Sequence, residues 1–459
     1  VITTPAFSGK RYAVLGLARS GAAALSSLLA GGASVTAWDA REEPRAAAAA
    51  EHAGAVATGQ LDFADPAAID LAGYTAVVVS PGVPINRHPI ADAAHAAQVP
   101  LVCDIELFAQ SRDHLPPHRV VGVTGTNGKS TTTALVTHLL QQAGVPTLMG
   151  GNIGLPILDQ QPLPAGGVYV LELSSYQIDL TQRLDCDVAV LLNLTPDHLD
   201  RYDGFEGYVA SKARLFGMQA LGRLAIVEMK AEMELDVLRH APDDQPFQFI
   251  EGVDLPGSQA EWPSLSGPHN RANAQAAVAV VRHLGLEDAT IAAGLKSFKG
   301  LPHRMERAVE ANGVLFVNDS KATNPASTAP ALAAYPPTQG HPRIHWILGG
   351  LPKGDDLDEC APYFANVAAA YTIGDAGARF AEILAPHLPV ARAEMMAEAL
   401  RLAIAAARPG DVVLLSPACA SFDQFRDYEA RGECFAQLVQ AMTGQKTGQE
   451  NGPETGGAA

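Results

Sequence analysis

A chain of 459 residues, nearly half of them apolar, is long enough for about three domains with cores that need no disulfide or metal staples. A net charge of −17 excludes a broad nucleic-acid surface, which needs clustered Lys and Arg, but leaves room for a local basic cleft that takes an anionic substrate. Five cysteines without a CxxC pair exclude a disulfide framework and fit a reduced, cytoplasmic setting. No signal-peptide pattern opens the sequence, and no run of roughly eighteen apolar residues offers a membrane span.

Three α/β blocks follow one another, and strands alternating with helices predict parallel sheets. In the first, 11–17 reads as an apolar strand. A glycine-bounded turn, Gly16-Leu-Ala-Arg-Ser-Gly21, leads into an Ala/Leu-rich helix ending at Gly31 and Gly32. Further strands are expected at 34–39 and 75–80, the latter stopped by Pro81 and Gly82. Asp39, at the end of the second strand, suits either a ribose hydroxyl or a capping role in the turn.

The second block opens after the Pro-rich stretch 115–119. Strand 120–123 runs into Gly122-Val-Thr-Gly-Thr-Asn-Gly-Lys-Ser130, then into a helix from about Lys129. Glycines let backbone N–H groups approach phosphate oxygens, and the helix N-terminus adds a favourable dipole. Lys129 supplies charge for β/γ phosphates, and Ser130 offers a hydroxyl to Mg2+. Val123 stands where the common P-loop spacing has its first glycine. Strands are expected at 168–173, 188–194 and 224–228, with helices at 208–216 and 270–284. Glu172 ends a buried strand beside the phosphate loop, where an acidic residue can hold Mg2+. Asp197, His198, Asp200 and Arg201 cluster after the next strand, at the strand C-termini where α/β ligand sites form. By its spacing alone Lys212 reads as a solvated lysine.

The third block starts near 301–304, with strands expected at 314–318, 344–348, 370–373 and 412–416. The stretch 443–459 has almost no apolar residue and reads as a disordered tail.

The ordered motifs TGTNGKST, GGNIG (150–154), ELSSYQ, TPDHLDRY, GPHNRANAQAA (267–277) and LPHRME (301–306) together resemble the Mur ligases, ATP-dependent amino-acid ligases of peptidoglycan synthesis. NDSKATN (318–324) and LSPACASFDQF (415–425) narrow the resemblance to the branch that adds D-glutamate to UDP-N-acetylmuramoyl-L-alanine. It covers nearly the whole chain up to about residue 442. It implies a Rossmann-like UDP-substrate domain (1–102), a central ATP-binding P-loop domain (103–304) and a Rossmann-like amino-acid domain (305–442). It also implies a cytoplasmic monomer that uses ATP and two Mg2+ sites.

Carried over motif by motif, Ser130, Glu172, His198 and Lys212 would serve the metals, Lys212 as a carbamate. That implication replaces the solvated reading of Lys212. Lys129, Glu172, His198 and Lys212 would be catalytic. Gly125, Thr126, Asn127, Gly128, Lys129, Ser130, Thr131, Asn270, Asn273, Arg304, Asp319 and Lys321 would bind ATP. Arg19, Ser20, Asp39, Arg41, Ser80, Pro81, Gly82, Asn152 and His198 would hold the UDP substrate, and Thr323, Lys353, Ser421, Phe422 and Tyr428 the glutamate.

Four residues at three places depart from the family pattern. Ala40 stands where Thr is frequent, Leu351-Pro352 replaces a common Asp-Gly, and Tyr428 replaces Phe. Other readings of the same residues are a same-branch ligase for L-glutamate, a folylpolyglutamate-type ligase, and a nucleotide-binding scaffold without catalysis. The GLARSG turn and Ser80-Pro81-Gly82 weigh against the second, and the presence of Glu172, His198, Lys212 and Lys353 against the third.

Overall fold

The computed structural model describes residues 1–197, 201–228, 237, 239–352, 354 and 356–445. The chain forms two compact units, 1–257 with 272–295, and 258–271 with 296–459.

The first unit carries two parallel sheets. In the first sheet, β1 (Arg11–Leu15), β2 (Ser34–Trp38), β3 (Leu61–Phe63), β4 (Ala76–Val79) and β5 (Leu101–Val102) lie in the order β3-β2-β1-β4-β5. That order reverses direction beside β1, and ligands of open α/β sheets bind at the strand C-termini of such a reversal. In the second sheet, β6 (His118–Thr124), β7 (Thr147–Gly151), β8 (Gly167–Glu172), β9 (Val188–Leu191), β10 (Leu224–Val227) and β11 (Phe247–Phe249) lie in the order β11-β10-β9-β6-β8-β7. The middles of its central strands, Val120–Val123, Val168–Leu171 and Val188–Leu191, are apolar and buried, because helices cover both faces of a parallel sheet. One continuous core joins the two sheets, from Ile2 and Tyr12 to Leu191 and Val227.

The second unit carries the third sheet, made of β12 (Glu306–Ala311), β13 (Val314–Asn318), β14 (Ile344–Gly349), β15 (Val367–Ile373), β16 (Val390–Glu394) and β17 (Val412–Leu415). The order is β12-β13-β17-β14-β15-β16, and β12 pairs antiparallel with β13. Alternation along β14 sends Ile344, Trp346 and Leu348 into one core, with the helices Pro325–Ala333 and Gly377–Leu384. Ile347 enters the other, with the helices Met396–Ala406 and Tyr428–Thr443.

The strands expected from apolar runs are present, with ends shifted by up to about three residues. β3, β5, β7, β11, β12 and β16 carried no such run. β7 reads Thr-Leu-Met-Gly-Gly, and β12 alternates charge with alanine. The expected tail lies outside the described residues from 446 onward; before it, the helix Tyr428–Thr443 ends at Gly444.

Candidate active site

The phosphate loop joins β6 to the helix Lys129–Gln142. Gly128 has φ +82°, and a Cβ there would stand 2.3 Å from the Asn273 amide oxygen, so only glycine fits this helix start. Asn193, after β9, shapes the loop from outside. Its carbonyl accepts the Thr126 N–H at 2.9 Å, and its side-chain oxygen accepts the Asn127 N–H at 2.7 Å. The Lys129 ammonium donates to the Gly125 and Thr126 carbonyls at 2.9 and 2.7 Å, arched over its own loop. Asn273 also accepts the Thr132 hydroxyl at 3.3 Å. Thr131 follows Ser130 in the first turn of the helix.

Glu172 ends β8 beside this loop and is 2% exposed. One carboxylate oxygen accepts the Ser130 hydroxyl at 2.5 Å, and the other accepts the Asn152 amide at 3.0 Å. Hydroxyl and carboxylate oxygens are the donors that suit Mg2+, so the residues present fit that ion. Lys212, on the helix Gly204–Gly217, is 1% exposed and buried beneath the loop, contrary to the solvated reading its spacing suggests. Its amine donates to the Gly125 carbonyl at 3.0 Å and the Thr124 hydroxyl at 3.3 Å. Burial, then the neighbouring Lys129 charge, hold its pKa well below the usual lysine range, against the pull of Asp197, Asp179 and Glu172. A neutral amine is the form that can act as a nucleophile. His198 and Lys353 lie outside the described residues.

A cleft of about 430 Å³ opens at the C-terminal ends of β1, β2, β4 and β7. It gathers Arg19, Ser20, Asp39, Arg41, the Ser80-Pro81-Gly82 turn and Asn152, the whole described set expected to hold the UDP substrate. Gln177 also lines it and was missed in the sequence; only its place in ELSSYQ pointed to it. The turn after β1 is tightly built. A Cβ on Gly21 would meet the Gly16 carbonyl oxygen at 1.8 Å, so the helix Arg19–Ala30 can start this close to the strand only with glycine there. Asp39 accepts the Leu17 and Arg41 N–H groups at 2.9 and 3.0 Å. Burial raises its pKa, but these hydrogen bonds and the Arg41 charge outweigh it and hold the carboxylate below its ordinary value. The capping role is therefore present at the cleft wall itself. Asn152 lines the cleft and holds Glu172, so the cleft and the Glu172 carboxylate share one hydrogen-bond network.

In the second unit, Asp319, Lys321 and Thr323 follow β13, and Ser421 and Phe422 follow β17, along the C-terminal edge of the parallel strands. Asp319 accepts the Met305 N–H at 3.0 Å and the Ser416 hydroxyl at 2.7 Å. Burial raises its carboxyl to about 7, the Ser416, Met305 and Arg304 interactions opposing that rise. The Lys321 ammonium lies over the Tyr428 ring, 3.8 Å from its centre. Leu351 and Ala420 exchange backbone hydrogen bonds of 3.0 and 2.9 Å, joining the loop after β14 to the one carrying Ser421. Phe422 is 69% exposed, an aromatic side chain left in solvent. Asn270 is buried and donates to the Ser266 carbonyl at 3.0 Å. Sequence reasoning missed Arg431, whose guanidinium donates to the Cys419, Ala420 and Ser320 carbonyls at 2.8–3.1 Å and so ties the loop after β17 to the one after β13.

Three family models match in chain order: Mur ligase MurD-like, N-terminal domain over residues 10–103, Mur ligase middle domain over 123–245, and Mur ligase, glutamate ligase domain over 303–419. The chain belongs to the Mur ligase family. Among related Mur ligases, the UDP-N-acetylmuramoylalanine--D-glutamate ligase of Novosphingobium aromaticivorans is 64% identical, with 96% of this chain and 97% of that one covered. The ligases of the same name from Sphingopyxis alaskensis and Zymomonas mobilis are 57% and 51% identical, each with 96% of this chain and 100% of the relative covered. Solved Mur ligase structures share the fold. MurC of Thermotoga maritima gives a TM-score of 0.56 at 18% identity over 94% of this chain and 99% of that one. The MurF ligase of Thermotoga maritima, in complex with ADP, gives 0.56 at 18% identity over 81% and 90%.

Proposed function

We propose that this Mur ligase joins D-glutamate to UDP-N-acetylmuramoyl-L-alanine, consuming ATP through an acyl phosphate. The observation that carries the reading is the shared network of Ser130, Glu172 and Asn152, which sets a phosphate loop against a cleft lined by every described UDP-site residue. The relatives' names supply the choice of substrates.

A carboxylate is a poor electrophile. Transfer of the γ-phosphoryl group from ATP to the substrate carboxylate gives an acyl phosphate, with ADP leaving. The glutamate amine then attacks the acyl carbon, and the tetrahedral intermediate collapses with loss of phosphate. Lys129, now bonded to its own loop carbonyls, would turn to the transferring phosphoryl group and offset its charge. Ser130 and Glu172 would hold one Mg2+, and His198 with carbamylated Lys212 a second; bound Mg2+ supplies charge neutralisation on the phosphoryl oxygens. The depressed pKa of Lys212 supports its carbamylation, since the neutral amine is what adds CO2. Asn152 would keep Glu172 oriented while facing the UDP substrate. Thr323 and Lys353 would orient the glutamate by its carboxylate.

Phosphate release with ATP, Mg2+ and UDP-N-acetylmuramoyl-L-alanine tests the reading. It is expected with D-glutamate only, with a product heavier by one glutamate residue. Release with L-glutamate alone would overturn the stereochemistry, and none with either would overturn the substrate pair.

A further inference from the structure

Arg45 stands in the first turns of the helix Glu42–Glu51, four residues after its N-cap Arg41. The N-terminal end of a helix is the unfavourable end for a cation, so something else must hold this side chain there. It turns back on the chain that precedes the helix. One guanidinium nitrogen, Nη1, donates to the carbonyls of Asp39, Ala40 and Arg41 at 2.5, 3.2 and 3.2 Å. The guanidinium carbon lies over the ring of Trp38, the last residue of β2, 4.3 Å from its centre. A planar guanidinium stacked on an aromatic face is fixed in orientation as well as in place. The four successive residues 38–41, from the end of β2 to the helix cap, therefore all meet this one side chain.

The turn that Arg45 holds forms one wall of the UDP-substrate cleft. Asp39 and Arg41 line the space, while Trp38 and Arg45 lie off it. The hold passes to the neighbouring turn after β1. The Asp39 carboxylate accepts the Leu17 N–H at 2.9 Å, and the Gly16 N–H donates to the Trp38 carbonyl at 2.7 Å. Arg41 is the group left for a ligand. Its side chain is 68% exposed, and only its Nε is engaged, by the Asp39 carboxylate at 3.5 Å. Its terminal nitrogens are without partners among the described residues. A guanidinium on a loose turn pays for its ordering when the ligand arrives; carbonyls pinned from outside remove part of that cost beforehand.

We infer that Arg45 is a positioning residue for the UDP-linked substrate: seated on Trp38 outside the cleft, it pins the three carbonyls of the 39–41 turn and so fixes the two side chains that the turn presents to the ligand. This rests on the proposed substrate, and deepens it by naming a cation that serves binding without touching the ligand.

Calorimetry with UDP-N-acetylmuramoyl-L-alanine, without amino acid, is the test. Arg45→Ala is expected to weaken binding about tenfold, the worth of one charge-assisted hydrogen bond. Affinity for ATP should stay unchanged. Lysine and methionine carry unbranched stems of like length, but only lysine donates. Arg45→Lys should bind within about threefold of the unaltered protein, and Arg45→Met should lose as much as Arg45→Ala. Unchanged ligand affinity in Arg45→Ala, equal losses for ATP and the UDP substrate, or equal affinities in Arg45→Lys and Arg45→Met would overturn the inference. Acrylamide quenching of tryptophan fluorescence in the ligand-free protein reads the same hold. Of the three tryptophans, Trp262 and Trp346 are 2% and 0% exposed, so the quenching reports on half-buried Trp38. It should rise in Arg45→Ala, where the ring loses its cover; quenching unmoved would overturn the inference. An unaltered protein that does not bind the UDP substrate would sink the proposed function, while the quenching would still decide the part played by Arg45.

Discussion

Two strand–glycine–helix turns in the first unit use one backbone device for two purposes. After β6, the turn is open to a cation. Gly125 and Gly128 take left-handed backbone at φ +143° and +82°, Lys129 brings a positive charge held by the loop carbonyls, and Asn193 braces the loop from a neighbouring strand by accepting the Thr126 and Asn127 N–H groups. After β1, the turn is closed. Gly21 brings the helix onto the Gly16 carbonyl, no lysine is present, and Asp39 fills the turn with its own carboxylate. The first arrangement suits phosphates that move during a reaction; the second suits a nucleotide moiety that is gripped and held. The difference lies in which side chains the glycines leave room for, a cation in one and an anion in the other.

The largest expected effect separates the two turns by function. Lys129→Ala should lower kcat by about a thousandfold or more, since removing a charge aimed at a transferring phosphoryl group costs of order 4 kcal/mol. Steady-state phosphate release measures this, and a loss under tenfold would mean the open turn does not serve the reaction.

The closed turn should fail by unfolding instead. Gly21→Val puts side-chain atoms where the Gly16 carbonyl stands, and a cost of about 3 kcal/mol is expected. Thermal unfolding should show a fall in Tm of several degrees, whereas an unchanged Tm would show that the turn has slack.

A smaller effect concerns pH beneath the cleft that the closed turn helps to form. Burial raises the Asp104 carboxyl from its ordinary 3.8 to about 6. The folded chain therefore keeps a proton that the unfolded chain has released, and this contribution to stability is full below about pH 4 and lost as pH rises through about 6. Asp104→Asn should be more stable than the unaltered chain at pH 7.5 by about 2 kcal/mol, with the difference vanishing near pH 4. Thermal unfolding across that range checks it. A difference that does not change with pH would mean Asp104 is ionised throughout.

Much of the first unit was legible because its chemistry is local in sequence. The strand, glycines and lysine of the phosphate loop lie within about a dozen residues, and the strand that ends at Glu172 is an apolar run that needs no context. What could not be read are interactions that depend on pairing across the sheet. Lys212 looks like a surface lysine on a helix, and only packing beneath the loop reveals its burial. Asn193, Gln177 and Arg431 are common polar residues whose roles come from the carbonyls and N–H groups they meet far along the chain. The strands without an apolar run were hidden for related reasons. β7 owes its place to the ladder with β8, not to its Gly-rich sequence, and β12 pairs antiparallel at an edge where charged residues are tolerated. Asp39 presented two roles in the sequence, and the structure shows its capping role at the wall of the cleft.

The measurement that tests this division of labour most directly is a calorimetric titration of UDP-N-acetylmuramoyl-L-alanine into the Lys129→Ala protein, in the absence of ATP. If the closed turn holds the UDP moiety and the open turn serves ATP, the affinity should equal that of the unaltered protein while the affinity for ATP falls. A loss of affinity for the UDP substrate comparable to the loss for ATP, in a variant that remains folded, would contradict it.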